Sequence, residues 1–422
     1  MHILFISTHL PLPANNGQSI RTLSIVRTLA SLGHKTTFVA FAPNVRPETI
    51  EPLASYCCQV DLLGRNRTFS NVPDRPDYFG RLRCLLSRRA YSVERFRSGA
   101  MRETIGGHLR GGAFDLIVCD SMYALVNLLD TNVPIALHCH NVEHMIFRRY
   151  AEIERNPVRK YYAAVESVLI RRAERRACDR AVFAMACSEI DRTMLHEMGV
   201  QKPIFLVPNT IDTRLFSPPA KRSREGDGTR TILFQGGMDW FPNRDAVDFF
   251  VDKIFPLVRH ECPDVKFVVA GRNPPSDFVA KFRHHAQIEF TGTVPDMRPY
   301  LSAATVVVVP LRLGSGTRIK ILEACGAGRA VVSTSVGAEG LNLELGKEIL
   351  VADDPELFAR SVVQLLQDPV RRDSIGSAAR KVIFEHYSEA ALKESLHRAL
   401  SAFSRPDSGE AADWVQSCFQ PL

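Results

Sequence analysis

Short runs of β-branched and aromatic residues alternate along this chain with longer segments in which apolar residues recur at helical spacing. The first run, residues 2–7, predicts a buried strand. A loop with Pro11, Pro13 and Asn15-Asn16-Gly17 follows. A helix then starts near Gln18, carries Ile20, Leu23, Ile25, Val26 and Leu29 on one face, and ends at Gly33. Residues 35–41 give the next strand, so the chain opens on a βαβ unit. Its glycine loop lies at the carboxyl end of a strand, where open α/β sheets bind ligands. Further strands are predicted over 114–119, 134–140, 181–186 and 204–207. The intervening helices cover 122–129, 142–179 with a break at Pro157, and a segment capped by Ser188 that runs through Glu197. In the 134–140 strand the alternation puts His138 and His140 on one face, and His140 at the carboxyl end.

The second half repeats this grammar. Strands are predicted over 231–235, running into Gly236-Gly237, over 265–270, running into Gly271, and over 288–290, running into Thr291-Gly292. Two more cover 306–309 and 330–334, and helices are expected from Pro242 to Val258, over 355–367 and over 370–403. Residues 216–230, with Ser217-Pro218-Pro219 and a charged, glycine-containing run, read as a linker. The pattern is α/β: two doubly wound, Rossmann-like domains over 1–215 and 231–385, facing each other across a cleft. A last segment, 386–422, is expected to send a helix back to the first domain and to end in a loose tail.

Within the second half one stretch concentrates chemistry. Val307-Val308-Val309 leads through Gly314, Ser315 and Gly316 into a helix-forming segment from Thr317 that stops near Gly326 and Gly328. Strand, glycine loop and helix N-terminus together make an anion site. Arg318 and Lys320 occupy the first turn, where the helix dipole disfavours cations, so an anion is expected there. Glu323 is a single carboxylate inside Ile-Leu-Glu-Ala-Cys.

Composition changes this picture only at its edges. Hydrophobic residues make up 45% and charged residues 23%, as in a soluble globular chain, and the apolar runs are strand-sized. Residues 1–7 lack a basic n-region and a long apolar h-region, so they read as a first strand and not as a signal peptide. The ten cysteines show no C-x-x-C spacing and fit reduced thiols in a cytoplasmic protein. The net charge of +7 is concentrated in the first half, from Arg81 to Arg102 and from Arg148 to Arg180. This favours an anionic surface at the inner face of a membrane, against a solvated helix face as the alternative. Between 64 and 87 the regular pattern breaks down, with Pro73 and Pro76. The mixture of aromatic, aliphatic and basic residues over 78–86 is that of an interfacial segment or of a buried helix flank. A nucleic-acid partner has no recognisable module to support it. There is no D-x-D triplet to hold a metal-bound diphosphate, and no pair of carboxylates is evident for glycoside hydrolysis.

The motifs resemble the family 4 retaining glycosyltransferases of the GT-B fold, over nearly the whole chain. Val207-Pro208-Asn209-Thr210-Ile211-Asp212, Val269-Ala270-Gly271, Phe290-Thr291-Gly292-Thr293-Val294 and the segment from Gly316 to Ala324 carry the resemblance, with His140-Asn141-Val142-Glu143 and the Gly17 loop in the first domain. It implies transfer of a sugar from a nucleotide-diphospho-sugar, bound mainly by the second domain, to a glycan or lipid-linked acceptor bound mainly by the first. The nucleotide sugar is a substrate, so no cofactor and no metal is implied. Glu323 matches the glutamate that bonds the ribose hydroxyls. Gly316 and Thr317, with Arg318 and Lys320, would hold the diphosphate, Gly17 would approach it, and His140 would point at the donor sugar. Gly236, Gly237, Thr291 and Gly292 complete the donor side. Two departures stand out. Ser315 occupies the position of a family glutamate that touches the sugar, and Gly237 to Asn243 replaces the usual Arg and Lys after the second domain's first strand. Arg318 and Lys320 are therefore expected to take the phosphate role. The competing readings are a GT-B-fold sugar-nucleotide epimerase and a non-catalytic sugar-nucleotide-binding protein.

Overall fold

The alternating pattern folds into two parallel sheets, seen in a computed structural model that describes residues 1–42, 47–64, 77–216 and 230–403. In the first sheet β1 (His2–Ser7), β2 (Lys35–Phe41), β3 (Gln59–Leu63), β4 (Leu116–Cys119), β5 (Ile135–His138), β6 (Phe183–Ala186) and β7 (Ile204–Leu206) lie in the order β3-β2-β1-β4-β5-β6-β7. In the second, β8 (Thr231–Gln235), β9 (Lys266–Ala270), β10 (Ile288–Gly292), β11 (Val306–Val309), β12 (Val331–Ser333) and β13 (Leu350–Val351) lie in the order β10-β9-β8-β11-β12-β13. The strand order reverses between β1 and β4 in one sheet and between β8 and β11 in the other. Those two switch points are where a crevice opens beyond the carboxyl ends.

Both sheets are covered on both faces, which is why their strands read as near-continuous apolar runs. Ile3, Phe5, Phe38 and Val118 pack on one side of the first sheet and Leu4, Ile6, Ile117 and Leu137 on the other. One core surrounds the second sheet, with Phe234, Phe250, Phe267 and Phe358 among its largest members. Two strands are absent from the sequence reading. β3 is only half-buried along its length, and β13 is two residues long, so neither produces a buried run.

Two helical segments differ from their expected form for identifiable reasons. The helix starting at Phe241 widens into a π turn over Phe250–Ile254 before continuing as Phe255–Glu261. Pro256 has no N–H to continue the α-helical ladder there, and the wider turn absorbs the gap. The single helix expected over 370–403 is two, Pro369–His386 and Glu389–Phe403. At their junction the Tyr387 carbonyl accepts from Thr210 Oγ1 (2.8 Å) and Ile211 N (3.2 Å). The first of the two buries Ile375, Ala379 and Ile383 in the second core. The last buries Leu392, Leu396 and Leu400 against the first sheet. Among the described residues no helix is long and apolar enough to cross a membrane. Pro73 and Pro76, residues 217–229 of the linker expected over 216–230, and the tail after 403 lie outside the described residues.

Candidate active site

The first switch point places Ser7, at the end of β1, beside Asp120, the residue after β4. Asp120 is fully buried and its carboxylate is saturated. Oδ2 accepts from Ser7 Oγ (2.8 Å) and Thr22 Oγ1 (2.9 Å), and Oδ1 faces His138 Nδ1 (3.2 Å) and His140 Nε2 (2.9 Å). Burial alone would raise its pKa, but the charge of His140 and the hydrogen bonds from both histidines hold it well below the carboxylate range. Behind it the buried Arg21 guanidinium donates to His138 Nε2, to Asn209 Oδ1 (2.9 Å) and to Val207 O (2.5 Å). Burial first, then Arg21 and His140, push the His138 pKa well down, so that ring is neutral, with Nδ1–H on Asp120. Asp120, His138 and His140 offer ligand atoms within 4.8 Å of one another. They do not fit a metal ion: a guanidinium already sits on His138, and Asp120's lone pairs are taken by four partners. The trio instead fixes His140 at the cleft, with its ring 4.2 Å from that of His138.

His140 and Asn141 begin the turn into the helix Glu143–Ile153. Asn141 Nδ2 donates to Glu143 Oε1 (3.1 Å), and Tyr123 Oη donates to Glu143 Oε2 (3.1 Å). Burial, opposed by the Asn141 hydrogen bond, raises the Glu143 pKa. His9, from the loop after β1, is neutral because burial lowers its pKa to about 4, and its Nε2 is buried without a partner.

On the second domain's side the helix Ile319–Gly326 starts two residues later than expected, with Arg318 at its N-cap. Ser315, Gly316 and Thr317 form a loop pressed against the first domain. Ser315 Oγ accepts from Val142 N (3.0 Å), and Thr317 Oγ1 and O accept from Asn209 Nδ2 (2.5 and 3.1 Å). Gly316 has φ +76°, and a Cβ there would stand 2.5 Å from Asn141 Oδ1 and 2.7 Å from His140 O. Only glycine allows this approach. Gly17, at the start of the helix Gly17–Ser31, faces Ile319 across the same gap, where a Cβ would be 3.6 Å from Ile319 Cδ1.

Three more contacts join the domains. Arg149 forms a bidentate pair with Glu339 (2.5 and 2.8 Å) and reaches Gly314 O. Arg272 donates to Asn15 O (3.1 Å) and Oδ1 (2.9 Å), and Tyr150 meets Phe241 edge to face at 5.3 Å.

The interior of the cleft holds the second polar cluster. Lys320 Nζ lies 4.3 Å over the Phe234 ring and donates to Asn243 Oδ1 (2.8 Å), while Asn243 Nδ2 donates to Gly237 O (2.8 Å). Gly236 leaves the room, since a Cβ on it would be 2.9 Å from Lys320 Nζ. Gln235 Nε2 donates to Glu323 Oε2 (2.5 Å), and its own Oε1 is buried without a partner. Burial pushes Glu323 up to about 7 against the pull of Gln235 and Lys320. Burial, reinforced by Arg318, pushes Lys320 down to about 7. Arg318 turns back onto its own loop, donating to Ser315 O, to Gly316 O (2.5 Å) and to Val336 O (3.3 Å), and burial lowers its pKa to about 10.

The structure thus brings His140, Gly17, Ser315, Gly316 and Thr317 to the domain contact, and gathers Glu323, Lys320, Gly236 and Gly237 beside the carboxyl end of β8. Thr291 and Gly292 end β10 at the sheet edge, two strands from β8, and Thr291 Oγ1 bonds Gly292 O (3.0 Å). Asp120, Arg21 and Gln235 complete the arrangement and were not singled out from the sequence, while Asn209 and Asn243 appeared there only inside motif stretches, without a role of their own. Arg21 did leave a trace, for it falls on the buried stripe of its helix with Ile25, Thr28 and Leu29.

Fold and cleft are those of a two-domain glycosyltransferase. Residues 15–215 match the family described as Glycosyltransferase Family 4, and residues 229–368 match Glycosyl transferases group 1. The chain belongs to the group 1 glycosyltransferases with the GT-B fold. An uncharacterized 44.6 kDa protein in the cps region of Klebsiella pneumoniae is 22% identical, over 94% of this chain and 99% of its own length. A phosphatidylinositol N-acetylglucosaminyltransferase subunit from Arabidopsis thaliana is 28% identical over 44% of this chain and 41% of its own. Among solved structures, Anabaena HepE in complex with UDP and glucose superposes with a TM-score of 0.66 at 14% identity, over 94% of this chain and 99% of that one.

Proposed function

We propose that this glycosyltransferase moves a sugar from a nucleotide-diphospho-sugar to a glycan or lipid-linked acceptor, with retention and without a metal ion, in cell-surface polysaccharide or glycolipid synthesis. It would work in the cytoplasm, at the inner face of the membrane. The observation that carries the reading is the Glu323–Lys320 pair on the second-domain floor, one helical turn from a glycine loop that faces His140 across the cleft. A carboxylate in a water-poor pocket makes strong charge-assisted bonds to the two hydroxyls of a ribose. Gln235 Nε2 holds it in place, and the unpartnered Gln235 Oε1 leaves an acceptor for a further donor of the nucleotide.

Lys320 sits where an anion would draw it back to the charged state, and it would neutralise the diphosphate as the glycosidic bond breaks. His140, oriented through Asp120, faces the sugar from the other side. No protein nucleophile is needed if the leaving phosphate oxygen accepts the acceptor's proton on the same face. Catalysis is then positioning plus charge stabilisation. HepE, named as a complex with UDP and glucose, supports a nucleotide-sugar donor, and the phosphatidylinositol relative supports a lipid acceptor.

The test is a panel of UDP- and GDP-sugars incubated with the full chain. Slow release of nucleoside diphosphate, accelerated by membrane glycolipid extract and requiring much more donor in Glu323→Ala, is expected. A panel in which no nucleotide sugar binds or turns over defeats the proposal, and isomerisation of the free nucleotide sugar without acceptor would make the chain an epimerase.

A further inference from the structure

We infer that the helix Tyr78–Leu86 is a membrane-docking element that seats the first domain on an anionic phospholipid surface. The helix is held firmly from below. Asp77 caps it by accepting from Gly80 N (2.8 Å), Cys84 is buried beneath it, and the Arg81 guanidinium stacks over the rings of Tyr91 (5.6 Å) and Tyr162 (5.3 Å). Everything else on it points out. Tyr78 is 73% exposed, Phe79 79% and Leu86 77%, with Leu82 and Leu85 also exposed. Five large apolar side chains on one nine-residue helix form a contiguous patch, and such patches on ordered elements mark a partner.

Charge identifies the occupant. From Tyr78 to Arg89 there is no acid, and Arg83, Arg88 and Arg89 are exposed around the patch. On the neighbouring helix, Pro157–Arg180, the exposed apolar residues Val158 and Tyr161 lie beside exposed Arg159 and Lys160. Aromatic and aliphatic side chains flanked by cations suit the headgroup level of an anionic leaflet, where rings insert and guanidinium groups meet phosphates. A second copy of this chain would press the same cations against each other, which argues against a self-paired dimer. The helix Pro157–Arg180 also packs on Glu143–Ile153, which forms the first-domain wall of the cleft, so docking here would hold the cleft next to the bilayer. The inference extends the proposed lipid-linked acceptor, yet its first readout does not depend on that acceptor.

The full chain is tested by co-sedimentation with phosphatidylcholine vesicles with and without phosphatidylglycerol, at low and high salt. Binding to the anionic vesicles that weakens with salt is expected. F79S/L86S should lower it by about tenfold, and R83Q/R89Q by a similar factor with a flatter salt dependence. Neither variant should change the melting temperature by more than a degree or two, or turnover with a soluble acceptor. Absence of binding at low salt, or F79S/L86S binding as the parent does, overturns the inference. So does a lipid-free dimer that F79S/L86S dissolves, for the patch would then belong to a second copy. If vesicle binding behaves as described while no nucleotide sugar is used, the proposed function fails and the docking element stands.

Discussion

The two sides of the cleft are built on opposite principles. On the first domain's side the polar groups of Asp120 and His138 are saturated, with the nearby His9 Nε2 left buried without a partner. On the second domain's side Glu323 and Lys320 are pushed by burial toward neutrality, and Gln235 Oε1 and Arg318 Nε have no partner. A satisfied network rigidifies what it contains, whereas an under-satisfied one is poised to gain from a ligand. The first side therefore reads as the frame that positions His140, and the second as the seat we propose for the anionic donor.

Asp120→Ala should produce the largest effect on stability. It leaves two hydroxyls and two imidazoles without their acceptor and the neighbouring Arg21 cation uncompensated, and removing one partner of such a buried network costs about 3–5 kcal/mol. Thermal unfolding measures it directly. The same network sets an acid limit. The Asp120 carboxyl has a depressed pKa, so its contribution is complete above the ordinary value of about 3.9 and drains as the pH falls below it. His138, also depressed, refuses a proton that the unfolded chain accepts below about 6.5, so stability already declines with acid from there. Glu323 has the opposite sign. Its raised pKa means that the folded chain gives up stability as the pH rises through the window between the ordinary value near 4.3 and about 7.

Glu323→Ala should therefore separate the two regions cleanly. Donor affinity is expected to fall by about 10- to 100-fold, or about 1.4–2.7 kcal/mol, with no loss of melting temperature. If the melting temperature falls as far as in Asp120→Ala, Glu323 belongs to the frame and the contrast fails.

The loop between the regions offers a subtler test. Gly316→Ala forces a Cβ against Asn141 Oδ1 and His140 O at a positive φ, which should cost roughly 1–3 kcal/mol, felt as a loosened domain contact. Small-angle scattering would then show a more open average shape and turnover would fall. A structure of the variant with an unmoved loop would refute the steric account. The smallest effect is expected at Arg149–Glu339. The pair is bidentate and mostly buried, but the cost of desolvating both charges offsets most of their attraction, so replacing both together (Arg149→Met with Glu339→Leu) should change thermal stability by at most about 1 kcal/mol.

The sheets were legible because both faces of each strand are buried, so β1, β2, β8 and β11 appear in the sequence at their observed limits. β3 and β13 lacked that signal, being half-exposed or too short. Glu323 and Lys320, which we propose as the donor floor, stood out in the sequence because a carboxylate and a cation within one apolar helix demand a reason. The frame was not. Arg21 and Asp120 are 99 residues apart and Asp120 and Asn209 are 89 apart, and only the strand order brings them together. Ser315 shows the limit of motif comparison. Its position marks it for the sugar, whereas its hydroxyl is bonded to the Val142 backbone, a contact that exists only once the domains meet. Arg318 likewise looked like a phosphate ligand and instead braces its own loop through Ser315 and Gly316 carbonyls.

The central claim is that ionised Glu323 grips the nucleotide. The direct measurement is donor affinity by calorimetry between pH 5.5 and 8.5, on the parent chain and on Glu323→Gln. The parent should bind best near pH 7, weakening below it as the Glu323 carboxylate gains its proton and above it as Lys320 loses its own. Glu323→Gln should bind weakly throughout and show no acid limb. A Glu323→Gln variant that binds the donor as tightly as the parent, with the same pH dependence, would contradict the account.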